Sequence, residues 1–148
     1  MKITEGMRKA GLSVGPDCTL QKAAELMECN AVGALAVVED GTAVGIVTDR
    51  DLVRRAVARG VAPDARIDSV MTSPVVSISA DADFREALDM FRRHPIRRLV
   101  IERDGSFVGV VSADDLLIDL ASDLAAVVRP IGAEVMFGHR DSPVPTAV

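Results

Sequence analysis

The feature that most constrains this chain is an internal repeat. When the sequence is shifted by 64 residues, Leu12 to Ala58 lies over Val76 to Ser122 without a gap. Nearly half of the aligned positions are identical or exchange one aliphatic residue for another, and the identical pairs include Ser13/Ser77, Asp17/Asp81, Leu35/Leu99, Gly45/Gly109, Asp51/Asp115 and Leu52/Leu116. The chain therefore contains two similar units of about 60 residues. Because a unit of that size buries little surface on its own, we expect the two to pack together.

Each copy predicts the same order of elements. A short extended piece leads into a helix that begins at Thr19 or, with a capping-box pattern, at Asp83. Apolar residues at i, i+3, i+4 and i+7 give that helix one apolar face. Asp40-Gly41 and Asp104-Gly105 then separate two aliphatic runs, which indicates a hairpin. A second helix follows, from Arg50 to about Arg59 and from Asp114 to about Val128.

The predicted fold class is therefore α/β (α+β), with two β-α-β-β-α repeats packed through their sheets with pseudo-twofold symmetry. We expect a lead-in at residues 1–12, the first repeat at 13–60, a linker at 61–74 and the second repeat at 75–128. The remaining residues, 129–148, contain scattered Gly and Pro and predict a loosely held tail.

Composition excludes several classes of protein. With 17 basic and 22 acidic residues the formal charge is −5, which argues against a general nucleic-acid binder. No apolar stretch is long enough to span a membrane and no secretory signal is recognisable, so a cytoplasmic location is expected. Cys18 and Cys29 are expected to be free thiols, and His94 and His139 lack companions for a metal site.

The chemistry is concentrated where the last strand of each copy meets the last helix. Thr48 precedes Asp51 by three residues, and Ser112 precedes Asp115 in the same way. One interpretation is a local helix cap, in which hydroxyl and carboxylate bind backbone N–H groups. The other is a ligand site, since a helix N-terminus favours an anion and a carboxylate can accept both hydroxyls of a ribose. The occurrence of the same pattern in both copies favours the ligand site.

The junctions, the Asp-Gly hairpins and the Ile96-Arg97-Arg98-Leu99 segment resemble the cystathionine-β-synthase (CBS) domain, which occurs in tandem as a Bateman module. The resemblance covers Met7 to about Leu124. The chain is similar to stand-alone bacterial CBS-pair proteins, including mycobacterial proteins of the hypoxic-response type.

This resemblance implies two clefts between the copies, each able to hold an adenosine-containing ligand. Asp51 or Asp115 would hold the ribose, and Thr48 or Ser112 would lie by the phosphate or sugar. The adenine would lie against the opposite copy. It implies Leu12, Val32 and Gly33 for the Asp115 site, and Thr72, Val76, Ile96 and Arg97 for the Asp51 site.

The resemblance also implies a homodimer with basic residues near its centre, where Arg97 and Arg98 would lie. The first copy has Gly33 and Ala34 at the equivalent positions, so the two clefts should differ in affinity or in the number of phosphates they accept.

The predicted function is regulatory. The chain would sense AMP, or ADP or ATP, in signal transduction or energy sensing, without a required cofactor, and would act through an effector protein or a change in the dimer. The alternative is a constitutive dimerisation module with vestigial clefts, or one that binds NAD or S-adenosylmethionine. An enzyme is not expected, since no base, nucleophile or metal cluster is recognisable.

Overall fold

The computed structural model describes Lys2, Ile3 and residues 11–137, with backbone alone for residues 131–137. The first copy contains β1 (Ser13–Val14), α1 (Leu20–Asn30), β2 (Ala34–Glu39), β3 (Thr42–Thr48) and α2, which comprises an α-helical turn Asp49–Asp51, a π-helical stretch Leu52–Ala56 and a 3₁₀ turn Val57–Arg59. A 3₁₀ turn at Ile67–Ser69 precedes the second copy. That copy contains β4 (Ser77–Ser79), α3 (Phe84–Arg93), β5 (Arg98–Arg103), β6 (Ser106–Ser112) and α4 (Ala113–Phe137).

Each copy forms a three-stranded sheet, in the order β1-β2-β3 or β4-β5-β6. The first strand pairs parallel to the second, and the hairpin strands pair antiparallel. Both hairpins turn as the sequence predicts: Asp40 and Gly41 have φ of 50° and 78°, and Asp104 and Gly105 have 51° and 76°. Two successive residues at positive φ match the twist of a tight hairpin, and glycine adopts this conformation without strain.

The first helix of each copy begins at the predicted cap. The Thr19 hydroxyl accepts a hydrogen bond from the Lys22 N–H at 3.1 Å. The Asp83 carboxylate accepts from the Glu86 N–H at 2.9 Å, while Glu86 accepts from the Asp83 N–H at 2.8 Å. These bonds satisfy backbone donors that the first turn leaves free, so the helix starts are fixed by local sequence.

The two sheets contact each other, which confirms the mixed α/β architecture built from two packed repeats. The Phe107 N–H donates to the carbonyl of Gly41 at 2.8 Å, and the Thr42 hydroxyl donates to the carbonyl of Gly105 at 3.3 Å. A Cβ atom on Gly11 would lie 2.5 Å from the Cα of Gly109. The backbones therefore approach so closely here that only glycine fits at position 11.

The segment before each copy contributes an isoleucine to the hydrophobic core of the other copy. Ile67, just before the second copy, is fully buried in the first core beside Leu20 and Val47. Ile3, before the first copy, is fully buried in the second core, and its N–H donates to the Ala82 carbonyl at 3.1 Å. Ile3 and Ile67 are 64 residues apart and thus occupy the same repeat position. The predicted lead-in and linker each contribute to a core.

The last helix corrects one prediction. α4 continues beyond Val128, through Pro130, to Phe137, so residues 129–137 of the predicted loose tail are helical. A proline inside a helix removes one backbone hydrogen bond and bends the helix without having to end it. Residues 138–148 of the predicted tail lie outside the described residues. Large apolar side chains are exposed on the two C-terminal helices of the repeats: Val53, Val57, Leu117, Ile118, Leu120, Leu124, Val127 and Val128.

Candidate functional site

The first strand-to-helix junction forms a complete capping box. The Thr48 N–H donates to Asp51 Oδ2 at 3.0 Å, and the Asp51 N–H donates to the Thr48 hydroxyl at 3.1 Å. The other carboxylate oxygen, Asp51 Oδ1, lies 3.8 Å from the Nε atom of Arg55. Both oxygens of Asp51 therefore already face partners within the protein.

The second junction contains a similar cap, but the partners of its carboxylate oxygens differ. The Asp115 N–H donates to the Ser112 hydroxyl at 3.1 Å, and that hydroxyl donates to Asp115 Oδ2 at 2.7 Å. The Ser112 N–H also points to Oδ2, at 3.4 Å. No other side chain of the described chain hydrogen-bonds or ion-pairs with Asp115. Asp115 thus caps the helix with one oxygen and leaves Oδ1 able to accept a hydrogen bond.

Asp115 opens onto a cleft between the two copies. The cleft has a volume of about 320 Å³, within the range of small-molecule sites. The first copy contributes Gly11, Leu12, Ala31, Val32, Gly33 and Ala34, and the second contributes Arg98, Val110, Ser112 and Asp115. The structure therefore brings together all five residues that the resemblance assigned to the Asp115 site: Leu12, Val32, Gly33, Ser112 and Asp115.

Arg98 is the cation of this cleft. It begins β5 opposite Ser112 of β6. Its Nη2 atom lies 3.4 Å from the point that a Cβ atom on Gly33 would occupy, and Asp49 Oδ2 lies 3.3 Å from the same point. The guanidinium of Arg98 thus crosses from the second copy to the backbone of the first.

Arg97, which the resemblance assigned to the Asp51 site, lies outside the Asp115 cleft. Its Nη2 atom is 3.0 Å and 3.1 Å from the two carboxylate oxygens of Asp114, and both side chains are largely exposed. Successive side chains of an extended segment point to opposite sides, so only one of two adjacent arginines can face the cleft. This alternation is a signal from which the sequence could have separated Arg98 from Arg97.

The surroundings of Asp51 differ from the expected mirror image. Asp51 lies in a groove on the outer side of α2 with Arg54, Arg55, Ala58 and Arg59. Thr72, Val76, Ile96 and Arg97, predicted to complete the Asp51 site, do not line that groove. The structure therefore does not place these four residues with Asp51 there.

The segment before the second copy occupies the edge of β3. Thr72 exchanges two backbone hydrogen bonds with Ile46, at 2.8 Å and 3.0 Å. Arg55 Nη1 donates to the carbonyls of Val70 and Met71 at 3.2 Å and 3.1 Å. A Cβ atom on Gly45 would collide with the Met71 side chain. Met71 and Arg55 together hold this segment on the strand that leads to Asp51. We call this arrangement the Arg55 latch.

Val76 and Ile96 occupy positions equivalent to Leu12 and Val32, which pack against the first hydrophobic core. Val76 and Ile96 are also partly buried and pack against the second hydrophobic core. Sequence reasoning also missed four residues that line the open cleft, namely Gly11, Ala31, Ala34 and Val110. The repeat alignment carries a signal for three of them, because Gly11, Ala31 and Ala34 are small where the second copy has Val75, Pro95 and Arg98.

The remaining candidates have modest roles in the described part of the chain. Cys18 is half-buried and Cys29 exposed, and both are free; burial raises the pKa of the Cys18 thiol, so the protonated form is favoured. His94 ends α3, and His139 lies outside the described residues. The described residues contain no group of three His, Cys, Asp or Glu side chains placed to hold a metal ion. None of their helices combines the length and apolarity that crossing a membrane requires.

The repeats and the inter-repeat cleft define a module of two tandem domains, and comparison with known proteins assigns the family. The model of the CBS domain matches residues 3–58 and 67–122, so the chain belongs to the CBS domain family and contains two CBS domains. Each match begins at the isoleucine that packs into the core of the other copy, Ile3 or Ile67.

Relatives of similar length extend the comparison. The chain is 36% identical to the CBS domain-containing protein YhcV of Bacillus subtilis over 84% of this chain and 89% of that protein. It is 29% identical to Hypoxic response protein 1 of Mycobacterium tuberculosis over 78% of this chain and 83% of that protein. Among solved structures, the CBS domain protein PAE2072 of Pyrobaculum aerophilum, complexed with AMP, aligns with a TM-score of 0.72 and 26% identity, over 82% of this chain and 99% of that chain.

Proposed function

We propose that this protein is a non-catalytic regulatory module that binds an adenine nucleotide, AMP in particular, in the cleft at Asp115. The observation that supports this most strongly is the convergence of Leu12, Val32 and Gly33 of the first copy with Ser112 and Asp115 of the second around one cleft. The complex of the CBS domain protein PAE2072 with AMP supports the ligand class.

The side chains of the cleft suit the three parts of a nucleotide. Leu12, Val32 and Val110 offer aliphatic surface to the flat base. Asp115 Oδ1 can accept a hydrogen bond from the ribose hydroxyls. Arg98 can form two parallel hydrogen bonds to phosphate oxygens. A single guanidinium matches one phosphate group better than three, which favours AMP over ATP.

These side chains bind but do not break bonds. One carboxylate oxygen of Asp115 and the Ser112 hydroxyl are used in the helix cap, and the remaining groups of the cleft are the second Asp115 oxygen, the Arg98 guanidinium and mainly aliphatic surface. The output of the module is a shift between arrangements of the chain, since a ligand that binds one arrangement better than another favours it. That shift reaches an effector protein or the packing of a homodimer.

The Asp51 junction is the weaker site in this proposal. Gly11, Ala31 and Gly33, which leave room in the Asp115 cleft, are replaced at equivalent positions by Val75, Pro95 and Arg97. The equivalent of Arg98 there is Ala34, which has no charge for a phosphate. The Arg55 latch in addition engages the second carboxylate oxygen of Asp51.

The test is isothermal titration calorimetry of the ligand-stripped protein with AMP, ADP, ATP, NAD and S-adenosylmethionine. Asp115→Asn removes the charge that receives the ribose, and Asp51→Asn is the matched control with the same chemistry at the equivalent position. Loss of a hydrogen bond to a charged group costs about 1.5–3 kcal/mol, so we expect AMP to bind about 10- to 100-fold more weakly to Asp115→Asn. The Asp51→Asn variant should bind within about twofold of the parent, since we assign no ligand contact to Asp51.

Three outcomes would contradict parts of the proposal. An absence of heat with every ligand, from a folded protein, would favour a constitutive dimerisation module, for which the exposed aliphatic residues of α2 and α4 are suited. Binding of NAD or S-adenosylmethionine but not AMP would change the ligand. Equal losses in the two variants would make both junctions ligand sites.

A further inference from the structure

The edge of the Asp115 cleft has two opposite charges that the equivalent positions of the repeat lack. Arg98 of the second copy corresponds to Ala34 in the 64-residue alignment, and Asp49 of the first copy corresponds to Ala113. The arginine and the aspartate belong to different copies, yet each has alanine as its counterpart. The repeat therefore departs from its symmetry twice, once in each copy.

The backbone contact at these positions is the same in both copies. The Asp49 N–H donates to the carbonyl of Gly33 at 3.0 Å, and the Ala113 N–H donates to the carbonyl of Arg97 at 2.9 Å. Residues 49 and 113 are equivalent in the alignment, and so are residues 33 and 97. The local backbone is thus reproduced, and the difference between the copies lies in the side chains.

Both charges reach one point at the edge of the cleft. The position that a Cβ atom on Gly33 would occupy lies 3.4 Å from Arg98 Nη2 and 3.3 Å from Asp49 Oδ2. Gly33 and Arg98 also line the cleft. Because Gly33 has no side chain, it leaves this point open to a ligand. A ligand group that binds Arg98 here therefore lies close to Asp49 as well.

Neither charge is used up by the described part of the chain. The Arg98 side chain is half-buried and has no hydrogen bond or ion pair with another described residue. Asp49 Oδ1 accepts a hydrogen bond from the Arg50 N–H at 2.8 Å, which leaves Oδ2 as the oxygen that faces the point at Gly33. A half-buried guanidinium of this kind is suited to bind an anion, and the carboxylate beside it offsets part of its positive charge.

We propose that Asp49 is a specificity-determining residue that restricts the Asp115 cleft to nucleoside monophosphates. This inference rests on the proposed function and identifies a residue that sets its preference for one phosphate. Arg98 binds one phosphate group, whereas each further phosphate brings additional negative charge next to the Asp49 carboxylate. Repulsion therefore disfavours ADP and ATP.

Asp49 also has a place in the local helix, and the two roles can be separated. It lies in the first turn of α2, where a carboxylate stabilises a helix. That contribution belongs to the protein and is the same whichever nucleotide is bound. Selectivity is a difference between two affinities of one variant, so the helix contribution cancels from it. The ratio of the ATP and AMP affinities hence isolates the effect of Asp49 on the ligand.

Isothermal titration calorimetry of the full, ligand-stripped chain with AMP and with ATP tests this role. Asp49→Asn keeps the size of the side chain and removes its charge. Asp114→Asn is the matched control, because Asp114 lies in the first turn of α4, is exposed and pairs with Arg97 outside the cleft. Magnesium is left out so that it does not mask the phosphate charge. Circular dichroism checks that each variant is folded.

We expect the parent to bind AMP more tightly than ATP. Asp49→Asn should raise the affinity for ATP relative to AMP by about 10-fold or more, since removing a nearby like charge favours the ligand with more phosphates. Asp114→Asn should leave this ratio within about twofold of the parent. The gain in Asp49→Asn should shrink at high ionic strength, because salt screens the repulsion that the aspartate exerts.

The failure of this inference differs from the failure of the proposed function. If AMP still bound and the ratio were unchanged in Asp49→Asn, Asp49 would have no part in specificity while the ligand site would stand. An equal rise in Asp114→Asn would assign the effect to the overall charge of the chain, and a parent that prefers ATP would also overturn the inference. A parent that binds neither nucleotide would overturn the proposed function itself.

Discussion

The two strand-to-helix junctions of this protein share a motif, a cap and a place in the fold, yet only the Asp115 junction is part of the inter-repeat cleft described above. At Asp51, the Arg55 latch engages the second carboxylate oxygen and fixes the Met71 segment on β3. At Asp115, small residues of the other copy leave a space of about 320 Å³ that Arg98 enters. A local motif is therefore insufficient to define a ligand site, because residues distant in the sequence decide which surfaces of the molecule surround the motif.

The largest expected effect comes from the two isoleucines that pack in the core of the other copy. Ile67, just before the second copy, is fully buried in the first core, and Ile3, just before the first copy, is fully buried in the second core. Truncation to alanine removes aliphatic contacts and leaves a cavity, so Ile67→Ala and Ile3→Ala should each lower the free energy of unfolding by about 2–4 kcal/mol. Chemical denaturation measures the loss.

Hydrogen exchange locates the effect. Ile67→Ala should increase exchange mainly in α1 and β2, and Ile3→Ala mainly in α3 and β5. Where the alanine variant does not fold, the corresponding Ile→Val variant, with an expected cost of about 1 kcal/mol, gives the same pattern. If Ile67→Ala increased hydrogen exchange only in the second copy, or Ile3→Ala only in the first, the packing of each isoleucine in the core of the other copy would be contradicted.

The next effect tests the difference between the clefts. Gly33→Arg gives the first copy the residue that Arg97 supplies in the second, and the new side chain would start within 3.4 Å of Asp49 and Arg98 atoms. We expect AMP affinity to fall about 100-fold, since the added guanidinium and its methylene groups occupy the cleft.

The reciprocal change, Arg97→Gly, is the control. Arg97 lies outside the cleft and its ion pair with Asp114 is exposed, so affinity should change less than about twofold and stability by less than about 1 kcal/mol. Titration calorimetry of both variants compares them. Equal affinity of Gly33→Arg and the parent would remove Gly33 from the ligand site.

A smaller effect is expected from the Arg55 latch. Arg55→Ala removes two hydrogen bonds from a guanidinium to the carbonyls of Val70 and Met71. Because the side chain is 44% exposed, solvent replaces part of that interaction, and we expect a loss of about 1 kcal/mol. Arg54→Ala, on the same helix, is the control with an expected change near zero. Thermal unfolding of both variants tests whether the latch stabilises the fold.

The smallest effects separate capping from binding. Thr48→Ala and Ser112→Ala each remove a hydroxyl that accepts from the backbone of the first helical turn, so both should cost about 1 kcal/mol of stability. Ser112→Ala should also weaken AMP binding by about threefold, because the hydroxyl orients Asp115. Equal affinities of the two variants would mean that Ser112 serves only the cap.

Much of the fold could be predicted from the sequence because the relevant interactions are local. The caps at Thr19 and Asp83 join residues three apart, and the Asp-Gly turns require positive φ at two adjacent positions. The end of α4 could not be predicted in this way. Pro130 is a frequent helix breaker, yet the structure continues the helix to Phe137.

The candidate site, like the fold, could be predicted only in part from the sequence. The family resemblance assigned Leu12, Val32 and Gly33 to the Asp115 site, and the structure gathers them around one cleft. It also assigned Thr72 and Val76 to Asp51, and these two residues do not line the groove in which Asp51 lies. The alignment of the repeats treats the two sides as equivalent, whereas side-chain volume makes them different.

The sequence by itself determined the repeat, the order of helices and strands and the caps, since each of these is written in residues that are adjacent or 64 apart. Tertiary structure alone decided that Ile3 and Ile67 exchange cores, that Arg98 rather than Arg97 enters the cleft, and that Met71 packs at Gly45. These outcomes depend on shape and burial between segments distant in the chain, and close packing allows one segment to occupy a space only where no other does.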